Sequence, residues 1–319
     1  MDRIAAATAS PDPVRSHFPA TTPVASPALP ATNHALMPPE RLITIYGPGL
    51  LGGSLALAIQ QRFPGVKLRL WARRPEAETG IRARGIDAEF FTDASAAAVG
   101  ASLIILCTPV ETMAALARQI ALSELADDCL ITDVGSVKGK VVSEMEPLLG
   151  SRFIGSHPMA GSEKTGIEVA RANLFEKAAC LLTPRPGVDS ARLRSFWESL
   201  GCRVLEMTPE EHDVKVARIS HLPHMMAAIT TLAALRTDPS AVACIAGGFR
   251  DTTRVASGDP GLWTGIALGN RAALTAQLRE ASATLTELLE ILDMPDEEGL
   301  RRFLAEAKAL RDTVPAASI

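Results

Sequence analysis

Apolar residues fall along this chain in two rhythms, and the change between them divides it. From residue 42 to about 207, short apolar runs alternate with stretches whose apolar positions recur every three or four residues. The runs Leu42–Tyr46, Lys67–Trp71, 103–107, Leu130–Asp133, 153–156, Ala179–Thr183 and 203–207 predict strands. Leu50–Arg62 sets Leu51, Leu55 and Ile59 on one helical face. A second helix is expected to begin near Pro75, a residue suited to a first helical turn, and another over 190–200. Strands alternating with helices imply an α/β fold, doubly wound, with a mainly parallel sheet covered on both faces.

After Pro209 the strand rhythm stops. Segments 210–236, 240–247, 260–293 and 297–311 are rich in Ala, Leu and Glu at helical spacing. The stretch 270–292 carries Leu274, Leu278, Leu285, Leu288 and Leu289 as a long apolar stripe. An all-helical second domain with such a stripe is expected to bury it against another copy, so a homodimer is the expectation. The boundaries read as an α/β domain at 41–208 and a helical dimerisation domain at 209–319.

Residues 1–40 follow neither rhythm. Ala, Pro, Ser and Thr dominate there, so the segment is expected to be disordered, and it lacks the continuous apolar core of a secretory signal. Met37 stands just before the first strand, which leaves an alternative start open, and Arg3 and Arg15 leave a transit peptide open. Net charge is -4 and no basic stripe is visible, which argues against nucleic acid as a partner. No apolar run reaches the roughly 18 residues of a membrane span. Cys107, Cys129, Cys180, Cys202 and Cys244 are scattered and odd in number, which reads as reduced thiols and a cytoplasmic setting.

Candidate chemistry starts at Gly47-Pro48-Gly49-Leu50-Leu51-Gly52, which satisfies G-x-G-x-x-G between a predicted strand and a predicted helix. Gly47 would make the turn, Gly49 would admit a pyrophosphate, and Gly52 would let the helix sit close to the sheet. The backbone at Leu50 and Leu51 would face the phosphates at the helix N-terminus. This is the signature of a Rossmann-type domain. Thr108 and Pro109, after the third of the main predicted strands, belong to the same expected crevice. About 20 residues beyond Gly52, where an acid would hold a ribose hydroxyl, stand Ala72, Arg73 and Arg74. Two guanidiniums can pair with a 2′-phosphate instead, so NADP is favoured over NAD; two arginines that merely open a solvated helix are the plainer alternative.

Four further segments follow: Thr132-Asp133-Val134-Gly135-Ser136-Val137-Lys138; Gly155-Ser156-His157-Pro158-Met159-Ala160-Gly161-Ser162-Glu163; Ser220-His221-Leu222-Pro223-His224; and Gly247-Gly248-Phe249-Arg250-Asp251-Thr252-Thr253-Arg254, with Asp259-Pro260 and Trp263 behind it. In this order the chain, from about Leu42 to Leu292, resembles the prephenate/arogenate dehydrogenases of tyrosine biosynthesis. The resemblance implies oxidative decarboxylation. Hydride leaves C4 of a cyclohexadienol for a nicotinamide while the ring carboxylate departs as CO₂ and the ring becomes aromatic. It implies His157 as the base that takes the C4 hydroxyl proton, a role suited to an imidazole. It places Ser136 beside the hydroxyl and nicotinamide, where it would orient His157. It makes Arg254 the partner of the ring carboxylate, and it sets His221, Glu163 and Ser162 around the substrate.

Three alternatives stay beside these roles. His221 and His224 share a helical face at i, i+3, but no third ligand accompanies them, so no metal is expected. A β-hydroxyacid dehydrogenase of related fold would need a catalytic lysine, for which only Lys215 is near. A non-catalytic dinucleotide sensor would not need His157, Ser136 and Arg254 together. No residue decides between prephenate and arogenate.

Overall fold

The computed structural model describes residues 41–315. The tail expected at 1–40 lies outside the described residues. The main sheet contains β1 (Leu42–Tyr46), β2 (Lys67–Trp71), β3 (Glu89–Phe91), β4 (Leu103–Leu106) and β5 (Leu130–Asp133). Its order is β3-β2-β1-β4-β5, parallel throughout. Helices α1 (Leu50–Arg62), α2 (Ala77–Ala83), α3 (Ala94–Ala98), α4 (Val110–Ala121) and α5 (Gly139–Leu149) follow the strands in turn.

Each strand feeds two cores. Ile43 and Ile45 pack with Leu55 and Ile59 of α1, while Tyr46 points the other way, towards Met113 and Leu116 of α4. Burial on both faces is why β4 can read Leu-Ile-Ile-Leu without alternation. Strand order reverses between β1 and β4, so a crevice opens beyond their carboxyl ends. That crevice positions everything below.

The last three strands correct the expectation of one extended series. β6 (Gly155–Pro158), β7 (Ala179–Thr183) and β8 (Arg203–Glu206) form a separate sheet in that order. A single bridge from Ile131 to Phe153 touches the main sheet before β6 begins. β6 then pairs antiparallel with β7, whereas β7 and β8 are parallel. The connections explain the difference. Helix α6 (Ala191–Ser199) supplies a crossover between β7 and β8, while only a short 3₁₀ turn, Ile167–Val169, lies between β6 and β7.

After β8 the described residues contain no strand. Helix α7 (Pro209–Val216) starts with a capping box, in which Thr208 and Glu211 satisfy each other's backbone amides. A five-residue π turn, Ala217–His221, joins it to α8 (Leu222–Leu235). Then come α9 (Gly247–Thr253), α10 (Pro260–Gly269), α11 (Arg271–Asp293) and α12 (Glu297–Asp312). The helix expected at 240–247 is instead a 3₁₀ stretch, Pro239–Cys244. The expected run 260–293 breaks at Asn270, whose backbone leaves helical values while its side chain binds elsewhere. Along α11, Leu274 is buried but Leu285, Leu289 and Leu292 are more than half exposed. No described helix is long and apolar enough to cross a membrane.

Candidate active site

The turn after β1 is shaped by its glycines. Gly47 holds φ +93°, and a Cβ there would sit 2.9 Å from the Cys107 carbonyl oxygen. A Cβ at Gly52 would sit 2.2 Å from the Gly47 carbonyl oxygen, so only glycine lets α1 come this close. At Gly49 a Cβ would meet nothing within 4 Å. Open space therefore lies against the turn. Helix α1 begins with no side-chain cap and no acidic residue in its first turn, which leaves its N-terminal amides, Leu50 and Leu51 among them, available to an anion.

Across the crevice, the Thr108 hydroxyl is buried without a hydrogen-bond partner, and Pro109 precedes the first turn of α4. Arg73 and Arg74 are exposed at the end of β2, whose Trp71 carbonyl accepts the Gly47 N–H at 2.9 Å. An uncapped helix start, open space beside Gly49 and an orphaned hydroxyl fit a dinucleotide.

Next to this crevice the loop after β5 is fixed by a buried ion pair. The Lys138 ammonium donates to Asp133 at 2.5 Å and to the Gly135 carbonyl at 2.8 Å, with neither charged side chain exposed. The same carboxylate accepts from the Gly135 and Ser156 amides. Ser136 is carried half-buried on this loop. Its side chain makes no hydrogen bond to His157 in the structure, contrary to the expected orienting contact.

His157 lies within β6 rather than after a strand, opposite Leu181 and buried. Its Nδ1 is 2.9 Å from Nε2 of His212, and Nδ1 of His212 is 2.8 Å from Oδ1 of Asp213. Asp213 in turn accepts from the backbone amides of Lys138 at 2.8 Å and Gly139 at 2.9 Å. Burial pushes the His157 pKa well below the ordinary histidine value, with repulsion from His212, Lys138 and His221 adding to it. Burial lowers His212 as well, partly opposed by its bond to Asp213. The Asp213 carboxyl is held below its usual value by His212 and by the two amides, against the opposing effect of burial. Both imidazoles are therefore neutral at pH 7 beside an anion.

Further residues of the helical region close the cluster. Asn270 donates from Nδ2 to the Asp213 carbonyl at 2.7 Å and lies 3.3 Å from Nδ1 of His221. His221 is buried, its pKa is pushed down to about 4 chiefly by desolvation, and its Nε2 has no partner. It sits in the π turn, a distortion that often marks a functional position. His224 stacks on Trp263 with ring centroids 3.3 Å apart, and His221 meets the same indole edge-on. Beyond them, Arg254 pairs with Glu163 at 2.9 Å. Ser162 is exposed and bonds only to the Lys164 backbone. Arg250 and Lys215 are exposed, and neither has a hydrogen bond or ion pair to the cluster. That removes the lysine expected of a β-hydroxyacid dehydrogenase.

His157 and His221 thus belong to one set of contacts through His212, Asp213 and Asn270, while Arg254 bonds to Glu163 on the loop after β6; the sequence alone does not point to His212, Asp213 and Asn270. Among the described residues no group of acidic, His or Cys side chains is arranged to hold a metal.

Two family models cover this architecture. The prephenate dehydrogenase nucleotide-binding domain matches residues 55–206, and the prephenate dehydrogenase dimerization domain matches 208–306. A prephenate dehydrogenase from Bacillus subtilis is 34% identical over 281 residues, covering 86% of this chain and 76% of its own. The chain belongs to the prephenate dehydrogenase family. Among solved structures, the A. aeolicus prephenate dehydrogenase in complex with hydroxyphenyl propionate and NAD+ superimposes with TM-score 0.78 at 32% identity, covering 86% of this chain and 98% of that one. Synechocystis arogenate dehydrogenase gives 0.72 at 33%, covering 85% and 99%. These relatives share the Rossmann-type sheet followed by helices, and membership makes the chain an oxidoreductase of the family's type.

Proposed function

We propose that this protein catalyses the NAD(P)-dependent oxidative decarboxylation of prephenate or arogenate, with 41–208 binding the dinucleotide and 209–319 completing the substrate site and pairing two copies. The observation that carries the reading is a buried, uncharged His157 bonded to His212 and through it to Asp213, next to a crevice that fits a dinucleotide. The A. aeolicus relative was crystallised with NAD+ and an aromatic acid, which supports the same use of this crevice. The exposed leucines of α11 support a homodimer, as does the dimerization model that matches there.

The residues at 47–52 would hold the pyrophosphate, with Thr108 and Pro109 across from it. The nicotinamide, when bound, supplies the acceptor for the hydride. His157 accepts the C4 hydroxyl proton as the hydride leaves. Loss of CO₂ then returns an electron pair through the ring to that oxygen, which recovers the proton. Hydride and CO₂ depart, and no net proton is released. Ser136, on the loop after β5, would contribute a polar contact near the reacting carbon. His221 offers its unpartnered Nε2 to the substrate, beside Trp263. Arg254 binds the ring carboxylate, for which Glu163 must release the guanidinium. Ser162 lies on the same loop as Glu163, at the rim.

Replacing Arg254 with Ala is expected to raise KM for the substrate about 10- to 100-fold, the worth of a charge-assisted pair, with the dinucleotide Kd changed less than about threefold. Steady-state kinetics and cofactor titration check this together, and an unaltered KM refutes the carboxylate role.

Arg73 and Arg74, with no carboxylate beside them at the end of β2, favour NADP. Initial rates with prephenate and arogenate, each crossed with NAD and NADP, test the function and the preference together. Reduction of NADP at higher kcat/KM with at least one substrate is expected. A tenfold preference for NAD overturns the arginine reading, and no reduction in any of the four combinations overturns the function.

A further inference from the structure

We propose that Asp213 and His212 form a positioning relay that fixes the tautomer of His157, so that Nε2 rather than Nδ1 presents the lone pair to the substrate hydroxyl. The inference rests on the reading of His157 as the base.

The proton positions are set inward from the carboxylate. Asp213 accepts two backbone N–H groups, from Lys138 and Gly139, so its oxygens face donors on that side and it acts as an acceptor. The nitrogen 2.8 Å from its Oδ1, Nδ1 of His212, must then be the donor. A neutral imidazole carries one N–H, so Nε2 of His212 is left as an acceptor. That acceptor is 2.9 Å from Nδ1 of His157, which must carry the proton. Nε2 of His157 is left with the lone pair, and it has no hydrogen-bond partner among the described residues. One carboxylate thereby sets the proton position on a ring two bonds away.

The surroundings leave no competing way to set it. Lys138 faces both imidazoles but is committed to Asp133 and the Gly135 carbonyl, and its charge disfavours a second cation. Asp133 and His221 are the other titratable groups that face the pair, and neither is hydrogen-bonded to His157. When Nε2 takes the substrate proton, Nδ1–H stays on His157, Nδ1–H stays on His212, and the negative charge of Asp213 offsets the imidazolium through them. When the ring oxygen regains its electron pair, Nε2 gives the same proton back. No proton leaves along the relay. Asn270 holds the backbone carbonyl of Asp213, so the anchor is fixed at both side chain and main chain.

The test combines histidine-selective ¹⁵N spectra with two substitutions. In the wild-type holoenzyme, His157 should show protonated Nδ1 and unprotonated Nε2. His212→Leu removes the acceptor, so the His157 tautomers should mix and kcat should fall about 10- to 1000-fold with KM held within about threefold, part of the range general-base catalysis spans. His212→Gln places an amide oxygen near the lost Nε2; it should restore the Nδ1–H tautomer and recover about tenfold of that loss. A wild-type spectrum with Nε2 protonated on His157 overturns the relay, as does wild-type kcat in His212→Leu. Equal impairment of the Leu and Gln variants with an unchanged tautomer overturns it too. The wild-type spectrum needs neither turnover nor a variant, so a failure of the relay is distinguishable from a failure of the function.

Discussion

Substituting His157 with Asn is expected to lower kcat by about 10²- to 10⁴-fold, the span of general acid–base catalysis, while dinucleotide affinity stays within about threefold. The split follows from position. His157 lies in β6 and bonds to His212, whereas the Gly47–Gly52 turn follows β1 in another sheet. An Asn amide falls near the former Nδ1 and can keep the His212 contact, but it has no basic nitrogen at the position of Nε2. The pH profile should change as well. Because burial and the basic groups of His212, Lys138 and His221 depress the His157 pKa, the ring stays neutral as pH falls below the ordinary histidine value of about 6.5 and gains its proton only lower still. The acid limb of wild-type kcat/KM therefore falls below pH 6.5, and in His157→Asn that limb should vanish. Near-normal turnover in the variant would remove His157 from the mechanism.

The second large effect is on stability. Lys138→Met keeps most of the side-chain volume but leaves the Asp133 carboxylate buried with only amide partners. Breaking a buried pair in this way costs about 3–5 kcal/mol. The urea midpoint should drop accordingly, and Asp133→Asn added to Lys138→Met should recover part of the loss, because no charge is then stranded. An unmoved midpoint in the single variant contradicts the ion pair as a structural element. The Ser136 loop hangs on that pair, so turnover should fall in the single variant even under conditions where it remains folded.

Much of this was legible in the chain, for reasons that differ by element. The bounds of β1, β2, β5 and β7 followed from apolar runs between turn residues. β3 did not, because three partly exposed residues give no run. The apolar pair Phe153 and Ile154 puts the expected strand at 153–156, yet β6 is Gly155–Pro158, whose Ser156 and His157 are buried by hydrogen bonds rather than by apolar character. The dinucleotide turn was visible as a local hexapeptide. The relay was not, because His212 comes 55 residues after His157 and no spacing rule links them. The only local signal was the Thr208–Glu211 capping box, which starts α7 and thereby sets His212 and Asp213 in its first turns. Likewise the resemblance sets Glu163 at the substrate, whereas its pairing with Arg254, 91 residues away, has no signature in the sequence.

The central claim is that hydride leaves the substrate ring carbon that bears the hydroxyl as His157 takes the hydroxyl proton, with CO₂ lost in the same turnover. Substrate deuterated at that carbon tests it most directly, with reduced cofactor and CO₂ both collected. One deuterium on each reduced nicotinamide and one CO₂ per cofactor is the predicted result. Unlabelled reduced cofactor, or CO₂ released without cofactor reduction, would contradict it.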